Sequence, residues 1–267
     1  MSARLTRGGA AITYGLTAAI LLFVLAPLAV VVALSVSEAA FATFPPQGFT
    51  FDWYATVIGE AEFVHAFTVS VLLALASTAA SFALGLPASY ALNRWKGPGA
   101  AVIEGLLLAP LIFPILISGL ALLKFNATTG MRDAPVNLML GHILITLPYM
   151  VRTTTASLKM VNHSLEEAAL TLGGPPWRVF WLVTVPQIVP GIAAGCLFAF
   201  MVSFDDFPIS MWLADAQTVP LPIYLHQVMS RIFDPSVAAM SSLMILTGIV
   251  AVIGLEKLVG LRKAMGV

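Results

Sequence analysis

The chain has 267 residues, of which 59% are hydrophobic and only 10% are charged, whereas soluble domains carry roughly 25% charged residues. This composition predicts an integral membrane protein. The formal net charge of zero argues against nucleic-acid binding, and the single cysteine, Cys196, excludes a disulfide framework and a cysteine metal site within the chain.

Six segments free of Asp, Glu, Lys and Arg are long enough to cross a bilayer, since a spanning helix needs about 20 mostly apolar residues. Backbone groups find no water in hydrocarbon, so these segments must be helices or close into a barrel. They lack the alternation of polar and apolar residues that barrel strands need. The sequence therefore predicts one all-α transmembrane domain over residues 1–267. The predicted spans are 8–37, 63–93, 105–123, 134–151, 179–204 and 235–255.

The first predicted span follows Arg4 and Arg7, a pattern that a secretory signal peptide also shows. Its apolar core, however, is about twice as long as the usual core of a signal peptide. We therefore expect an uncleaved first membrane anchor.

The third and fourth predicted spans contain residues that disturb a straight helix. Pro110, Pro114 and Gly119 lie in the third span, where they would free backbone carbonyls and allow bends. The fourth span contains His142 and Pro148 and is close to the minimum length. We predict that both segments cross the membrane, and that His142 is an interface residue or a satisfied helix contact.

The basic residues are distributed unevenly between the two sets of loops. If the N-terminus is cytoplasmic, ten of the thirteen Lys and Arg residues lie in cytoplasmic segments. Because positively charged loops tend to stay in the cytoplasm, both termini are predicted to be cytoplasmic. The ten residues are Arg4, Arg7, Arg94, Lys96, Arg152, Lys159, Arg178, Lys257, Arg262 and Lys263.

The longest predicted cytoplasmic connection, residues 152–178, contains the polar stretch SLEEAALTLGGPPW. Ser164 followed three residues later by Glu167 forms a capping-box pattern, which predicts a helix that starts at Ser164. Gly173 supplies the positive-φ residue that commonly ends a helix, and Pro175 hinders its continuation. The stretch therefore predicts a helix of about two turns.

One face of this helix carries a narrow apolar stripe at helical spacing. The stripe consists of Leu165, Ala168, Ala169 and Leu172. A helix of two turns is marginal in water, so the membrane surface or another protein must hold it. The two alanines would bury little area in lipid, and the polar face is acidic where anionic lipid favours Lys or Arg. A docking helix for a cytoplasmic partner is the sharper interpretation, and an interfacial helix on the bilayer is the alternative.

The same loop resembles a known family motif. Glu167-Ala168-Ala169, three residues, Gly173, nine residues and Val183-x-Val185-Pro186 resemble the EAA loop of permease subunits from binding-protein-dependent ABC importers. That family has E-A-A, three residues, G, nine residues and I-x-L-P, so the two valines are mild departures. The resemblance implies a six-helix permease of the type I importer fold, located in the bacterial inner membrane and without catalytic activity of its own.

The resemblance also implies partners and residue roles. The loop at about 160–178 would form a coupling helix that docks into a groove of a cytoplasmic ABC ATPase dimer. ATP and Mg²⁺ would bind to that partner, with no cofactor in this chain, and a second permease subunit and an extracytoplasmic substrate-binding protein would complete the importer. Glu167 would hydrogen-bond within or across the docking site, or would only close the capping box. The residues assigned to coupling are Ser164, Leu165, Glu167, Ala168, Ala169, Leu172, Gly173 and Pro186.

Two downstream segments resemble a narrower group. SFDDFPISMWL at 203–213 and the segment at 219–239 are similar to the C-terminal half of polyamine permeases, which import spermidine and putrescine. Asp205 and Asp206 end the fifth span, and acids near membrane depth normally face protein or an aqueous path. Paired carboxylates there could attract an organic cation. The alternative is that both carboxylates lie at the outer interface and are solvated.

A different class of function is an ion-coupled transporter that works alone. That class predicts acids buried in mid-span and repeated halves, and neither is seen in the sequence. An intramembrane hydrolase would need a convergent nucleophile and base or an HExxH pair, whereas the four histidines are scattered over different segments. We therefore expect a transport subunit rather than an enzyme.

Overall fold

The computed structural model describes residues 7–41, 43–95, 97–231 and 234–259. Within these ranges the chain consists of helices and their connections, without a strand. Four basic residues used to predict the orientation, Arg4, Lys96, Arg262 and Lys263, lie outside the described residues. The helices are α1 (Arg7–Leu34), α2 (Asp52–Gly59), α3 (Ala61–Arg94), α4 (Ala100–Leu108), α5 (Ile115–Thr129), α6 (Ala134–Leu158), α7 (His163–Thr171), α8 (Pro176–Val179), α9 (Val185–Phe204), α10 (Ser210–Leu213), α11 (Leu221–Met229) and α12 (Ser236–Val259), with a 3₁₀ turn at Ala109–Leu111 and a π-helical turn at Phe180–Thr184.

Five helical segments of the described chain are long and apolar enough to cross a membrane, and a sharply bent helix pair makes a sixth if the pair is counted as one span. The five segments correspond to five of the six predicted spans, and the bent pair corresponds to the third, so the predicted all-α membrane architecture is confirmed. The fourth span, α6, extends to Leu158, beyond its predicted end at residue 151. Asp133 caps its start by accepting the Val136 N–H at 3.0 Å.

The third span is not one continuous helix. It consists of Ala100–Leu111 and Ile115–Thr129, and the pair is bent by 102°. Pro114 lies at the break with an extended ψ of 123°, and it has no N–H with which to continue the helix ladder. The bend expected from the prolines is confirmed, but it divides the predicted span 105–123 into two helices rather than curving it.

The helices group into two compact units, Met1–Ala61 with Gln227–Thr247 and Glu62–His226 with Gly248–Val267. In the first unit, the connection after α1 is held by two aromatic side chains. Trp53 Nε1 donates to the Ser37 carbonyl oxygen at 2.9 Å, and the hydroxyls of Tyr54 and Ser35 lie 2.7 Å apart. Polar atoms on large aromatic rings commonly find such partners, so these residues order the connection.

In the second unit, small residues bring three long helices close together. α9 runs antiparallel to α6, since His142 near the start of α6 meets Ser203 near the end of α9, whereas Met150 meets Gly195. A Cβ at Gly195 would lie 2.8 Å from Met150 Sδ, and a Cβ at Gly85 of α3 would lie 2.7 Å from Met150 Cγ. Membrane helices approach closely where side chains are small, so these glycines set the packing of α3, α6 and α9.

The short helix α10 folds back against α6 in the same unit. Ile209 and Leu213 join Leu138 and Ile145 in a buried apolar cluster. A Cβ at Gly141 would lie 2.6 Å from Leu213 Cδ1, so glycine lets α10 approach α6. The connection after α9 is thereby packed against the helices rather than extended away from them.

Candidate functional site

The predicted loop helix is present as α7, His163–Thr171, but its start differs from the prediction. Asn162 is the N-cap, and its side-chain oxygen accepts the Ser164 N–H at 3.1 Å. Ser164 therefore lies inside the helix, and the predicted capping box between Ser164 and Glu167 is wrong. The physical reason is that Asn162, with extended backbone, caps the helix in its place.

The end of α7 follows the predicted glycine signal. Gly173 adopts a φ of +83°, and its N–H donates to the Leu170 carbonyl at 2.9 Å. The Gly174 N–H reaches the Ala169 carbonyl at 3.1 Å, and the two bonds together form a Schellman motif. The predicted turn at Gly173 is confirmed, and the chain then re-enters a helix at Pro176.

The apolar stripe of α7 faces outward. Leu165 is 51% exposed and Leu172 is 89% exposed, while Ala168 is exposed and Ala169 is half-buried. Leu165 on the helix and Leu172 at its C-cap form an apolar surface that this chain leaves accessible to a partner or to lipid. Of the other residues assigned to coupling, Ser164 and Glu167 are exposed on α7, and Pro186 is exposed in the first turn of α9.

A buried carboxylate holds another face of α7, and it belongs to Glu166 rather than Glu167. Glu166 is only 5% exposed. Its Oε2 accepts a hydrogen bond from Arg94 Nη2 and lies 3.0 Å from His163 Nδ1. Its Oε1 accepts the Thr184 hydroxyl at 2.5 Å. Burial alone would raise the pKa of this carboxyl, but the hydrogen bonds from Thr184, Arg94 and His163 outweigh it and lower the pKa.

We name Arg94, His163, Glu166 and Thr184 the Glu166 cluster. Its members come from three elements: the last residue of α3, the first turn of α7, and the π-helical turn before α9. Sequence reasoning missed the cluster because the family motif drew attention to Glu167, and because Arg94 lies 72 residues before Glu166. Glu166 stands next to Glu167 in the sequence, but no local sequence pattern indicates that it pairs with Arg94.

A second link joins the start of α7 to α9. The backbone N–H of Asn162 donates to Gln187 Oε1 at 3.0 Å. Gln187 Nε2 in turn donates to the Val183 carbonyl at 2.8 Å, within the π-helical turn. Such turns recur at functional sites in helices. This one carries Thr184 and lies beside Gln187, so α7 is attached to the spanning helix at two points.

The two candidate path acids are in different environments. Asp206 is 5% exposed, and its Oδ2 accepts the N–H groups of Ile209 and Ser210, each at 3.0 Å. Asp205 is exposed. The two carboxylates therefore do not form one paired site of equivalent groups: Asp206 caps the backbone that leads into α10, and Asp205 alone is exposed.

His142 lies at the centre of a buried polar network. Its Nδ1 lies 2.7 Å from Ser203 Oγ, and its Nε2 lies 3.1 Å from Ser210 Oγ. The Ser77 hydroxyl donates to Ser203 Oγ at 2.9 Å, and the Ser210 hydroxyl donates to Asp206 Oδ2 at 3.3 Å. Both imidazole nitrogens have partners, as a buried histidine requires. The expectation of a satisfied helix contact at His142 is confirmed, and the network joins α3, α6, α9 and α10.

The fold is that of a multi-helix membrane protein with a short helix in a connecting loop, and comparison with known proteins identifies the family. Residues 81–262 match the family described as binding-protein-dependent transport system inner membrane component. The chain belongs to this family: it is a permease subunit of an ABC importer of the inner membrane.

Individual relatives cover between 68% and 95% of the chain. It is 25% identical over 253 residues to the spermidine/putrescine transport system permease protein PotC of Escherichia coli K12, covering 95% of this chain and 93% of PotC. It is 31% identical over 198 residues to the molybdenum transport system permease protein ModB of Mycobacterium tuberculosis H37Rv, covering 68% of this chain and 74% of ModB. A chain of a bacterial alginate ABC transporter, solved in complex with an alginate pentasaccharide-bound periplasmic protein, has the same fold, with a TM-score of 0.70, 16% identity, and coverage of 93% and 92%.

Proposed function

We propose that this permease receives the motion of a separate ATPase dimer through α7 and forms part of the path for a small organic cation, such as spermidine or putrescine. One observation carries the coupling proposal. A short helix presents exposed leucines on one face, while the buried carboxylate of Glu166 attaches it to the spanning helices through another.

The energetics of α7 support a docking role. A nine-residue helix is marginal by itself in water, and here its caps and the Glu166 cluster hold it. Those contacts leave Leu165 and Leu172 exposed, and burying a leucine side chain contributes about 1.5–3 kcal/mol. Docking of the stripe in a groove of the ATPase would bury both. ATP and Mg²⁺ would bind only to that partner.

The remaining motif residues fit this proposal. Ala168 and Glu167 are both exposed, so Ala168 would permit close approach of a partner backbone and Glu167 would hydrogen-bond across the interface. Ser164 lies exposed in the first turn of the same helix, and Pro186 lies at the start of α9. The distribution of basic residues supports a cytoplasmic location for this loop and for both termini.

The proposed substrate rests on chemistry and likeness together. By their names, PotC is a spermidine/putrescine permease and ModB is a molybdenum permease, whereas a transporter of the same fold imports the acidic polysaccharide alginate. Proteins similar to this chain in sequence or in fold therefore transport solutes of different charge. The exposed Asp205 at the end of α9, together with the resemblance of segments 203–213 and 219–239, favours a cation here.

The proposed importer has further subunits. A second permease, different from this chain, would complete the path, and an extracytoplasmic binding protein would deliver the substrate. The alginate transporter was solved with a periplasmic protein bound, which supports this arrangement for a chain of the same fold.

Capture of the ATPase from mild detergent tests the coupling proposal. Tagged wild-type chain is compared with Leu172→Ser on the stripe and with Leu170→Ser, a matched control. Leu170 is 47% exposed on the same helix, but at about 100° per residue it points away from the stripe. We expect wild type and Leu170→Ser to retain the ATPase and Leu172→Ser to lose most of it. Equal capture by all three chains would contradict docking through the stripe.

A further inference from the structure

We propose that Glu166 is a positioning residue that fixes α7 rigidly against α3 and α9, so that movement of α7 is passed to the spanning helices. This inference rests on the proposed coupling function and adds a residue that the family motif does not contain, since the motif starts at Glu167.

The geometry places one carboxylate between three elements. One oxygen of Glu166 accepts from Arg94 Nη2 at the end of α3, and the other accepts from Thr184 in the π-helical turn that leads into α9. His163 contacts the carboxylate from α7 itself, at 3.0 Å. A carboxylate has only two oxygens, and both are used here. Glu166 therefore joins the coupling helix to two different membrane spans at once.

The burial of Glu166 and Thr184 makes the connection stiff. Glu166 and Thr184 are buried, while the Arg94 side chain is 40% exposed. Losing a partner from such a pair is costly, because an unpaired carboxylate then stays in a poorly solvated place. The hydrogen bonds of the cluster are therefore expected to form together or break together, rather than to lengthen gradually.

The covalent connection of α7 cannot supply this stiffness. The chain leaves α7 through two consecutive glycines, and Gly173 carries a positive φ. Glycine permits a wide range of backbone angles, so α7 could pivot about this turn while α9 stayed in place. The link from Asn162 to Gln187 holds only the first turn of α7. Glu166 supplies a side-chain attachment inside the helix.

Different faces of α7 carry the attachment and the stripe. Glu166 and Leu165 are adjacent residues, so their side chains are about 100° apart around the helix axis. One face is buried against this chain, and the stripe face is exposed. A force applied to the exposed stripe is therefore carried by the Glu166 cluster into α3 and the start of α9.

A distance measurement tests this attachment without knowledge of the substrate. Spin labels are placed at Thr171 of α7 and Leu84 of α3, both exposed, in a Cys196→Ala background that removes the only native cysteine. The full chain is purified in mild detergent and measured alone and with the ATPase that it captures. We expect one narrow distance for wild-type Glu166, and loss of that single distance in Glu166→Gln.

A double-mutant cycle separates positioning from general destabilisation. Arg94→Gln, Glu166→Gln and the combined variant should broaden the distance distribution to the same extent, because residues that act as a pair are not additive. Glu60→Gln is the matched control, since it neutralises an exposed acid just before α3. If Glu166→Gln does not fold, Arg94→Gln still tests the attachment. The Arg94 side chain is 40% exposed, so its replacement disturbs the fold less.

The outcomes distinguish this inference from the proposed function. A narrow distribution in either single variant, or broadening that adds in the double variant, would overturn the role of Glu166. If wild type captures no ATPase, the coupling function itself fails, whatever the distances show. If capture persists and the variants broaden together, both the docking and the attachment are supported.

Discussion

Glu166 and Asp206 are equally buried, each 5% exposed, yet they are held in opposite ways. Glu166 takes its partners from side chains up to 72 residues away, including an arginine. Asp206 takes backbone N–H groups three and four residues ahead. The difference shows that one carboxylate joins separate elements, whereas the other shapes a single turn. We expect the first to influence coupling and the second to influence folding.

The largest effect on stability should come from Asp206→Ala. This change leaves the N–H groups of Ile209 and Ser210 without their acceptor in a buried place, and we expect a loss of about 2–4 kcal/mol. Asp206→Asn, which keeps an acceptor oxygen, should lose less. Thermal unfolding in detergent, followed by intrinsic tryptophan fluorescence, measures both. If Asp206→Ala unfolds at the same midpoint temperature as wild type, the Asp206 carboxylate does not stabilise the fold.

A smaller loss is expected at the Glu166 cluster from Thr184→Val. The change keeps the side-chain volume but removes the hydroxyl that bonds to Glu166, which should cost about 1–2 kcal/mol. Thr184→Ser keeps the hydroxyl and is the control. The same unfolding assay applies, and the account fails here if the serine variant is the less stable of the two.

Acid should break the Glu166 attachment only at low pH. The pKa of Glu166 is lowered in the folded chain, so its contribution is fully present above the ordinary carboxyl pKa of 4.5 and is lost as the pH falls through the lower folded value. The facing groups are Arg94 from α3, His163 from α7 and the neutral Thr184. The spin-label distance in the purified chain should stay narrow from pH 7 to pH 5. If the distance distribution already broadens at pH 5, the charged form of the Glu166 carboxylate is not stabilised by these partners.

The smallest effect on stability is expected for Asp205→Asn. Asp205 is exposed, so the unfolding midpoint should match wild type while uptake of labelled spermidine falls. Substitution of both acids together would not test the path, because Asp206 also supports the fold. Wild-type uptake by the single variant would remove Asp205 from the proposed path.

Much of the membrane architecture could be predicted from sequence because the hydrophobic effect acts along each segment separately. The lengths and charge-free stretches predicted the spans, and Pro114 indicated the bend, although not its angle of 102°. A proline shows where a helix ladder is interrupted. The direction that the chain then takes depends on what the following helix packs against, and that information lies elsewhere in the chain.

For the loop helix α7, too, only the features that depend on local sequence could be predicted. Its end was predictable, because glycine readily adopts the positive φ that ends a helix, and Gly173 does so here. Its start was not, since Asn162 and Ser164 are both good capping residues two positions apart. The Glu166 cluster could not be predicted at all from the loop, because its arginine comes from the end of α3.

Site-specific photo-cross-linking from α7 tests the central claim most directly. A photoreactive amino acid replaces Leu172 on the stripe or Leu170 off it, in the chain purified with its captured ATPase. We expect an adduct between the ATPase subunit and position 172, and little or none from position 170. If the ATPase is captured but position 172 cross-links only to lipid or to this chain, α7 is an interfacial helix and the coupling contact lies elsewhere.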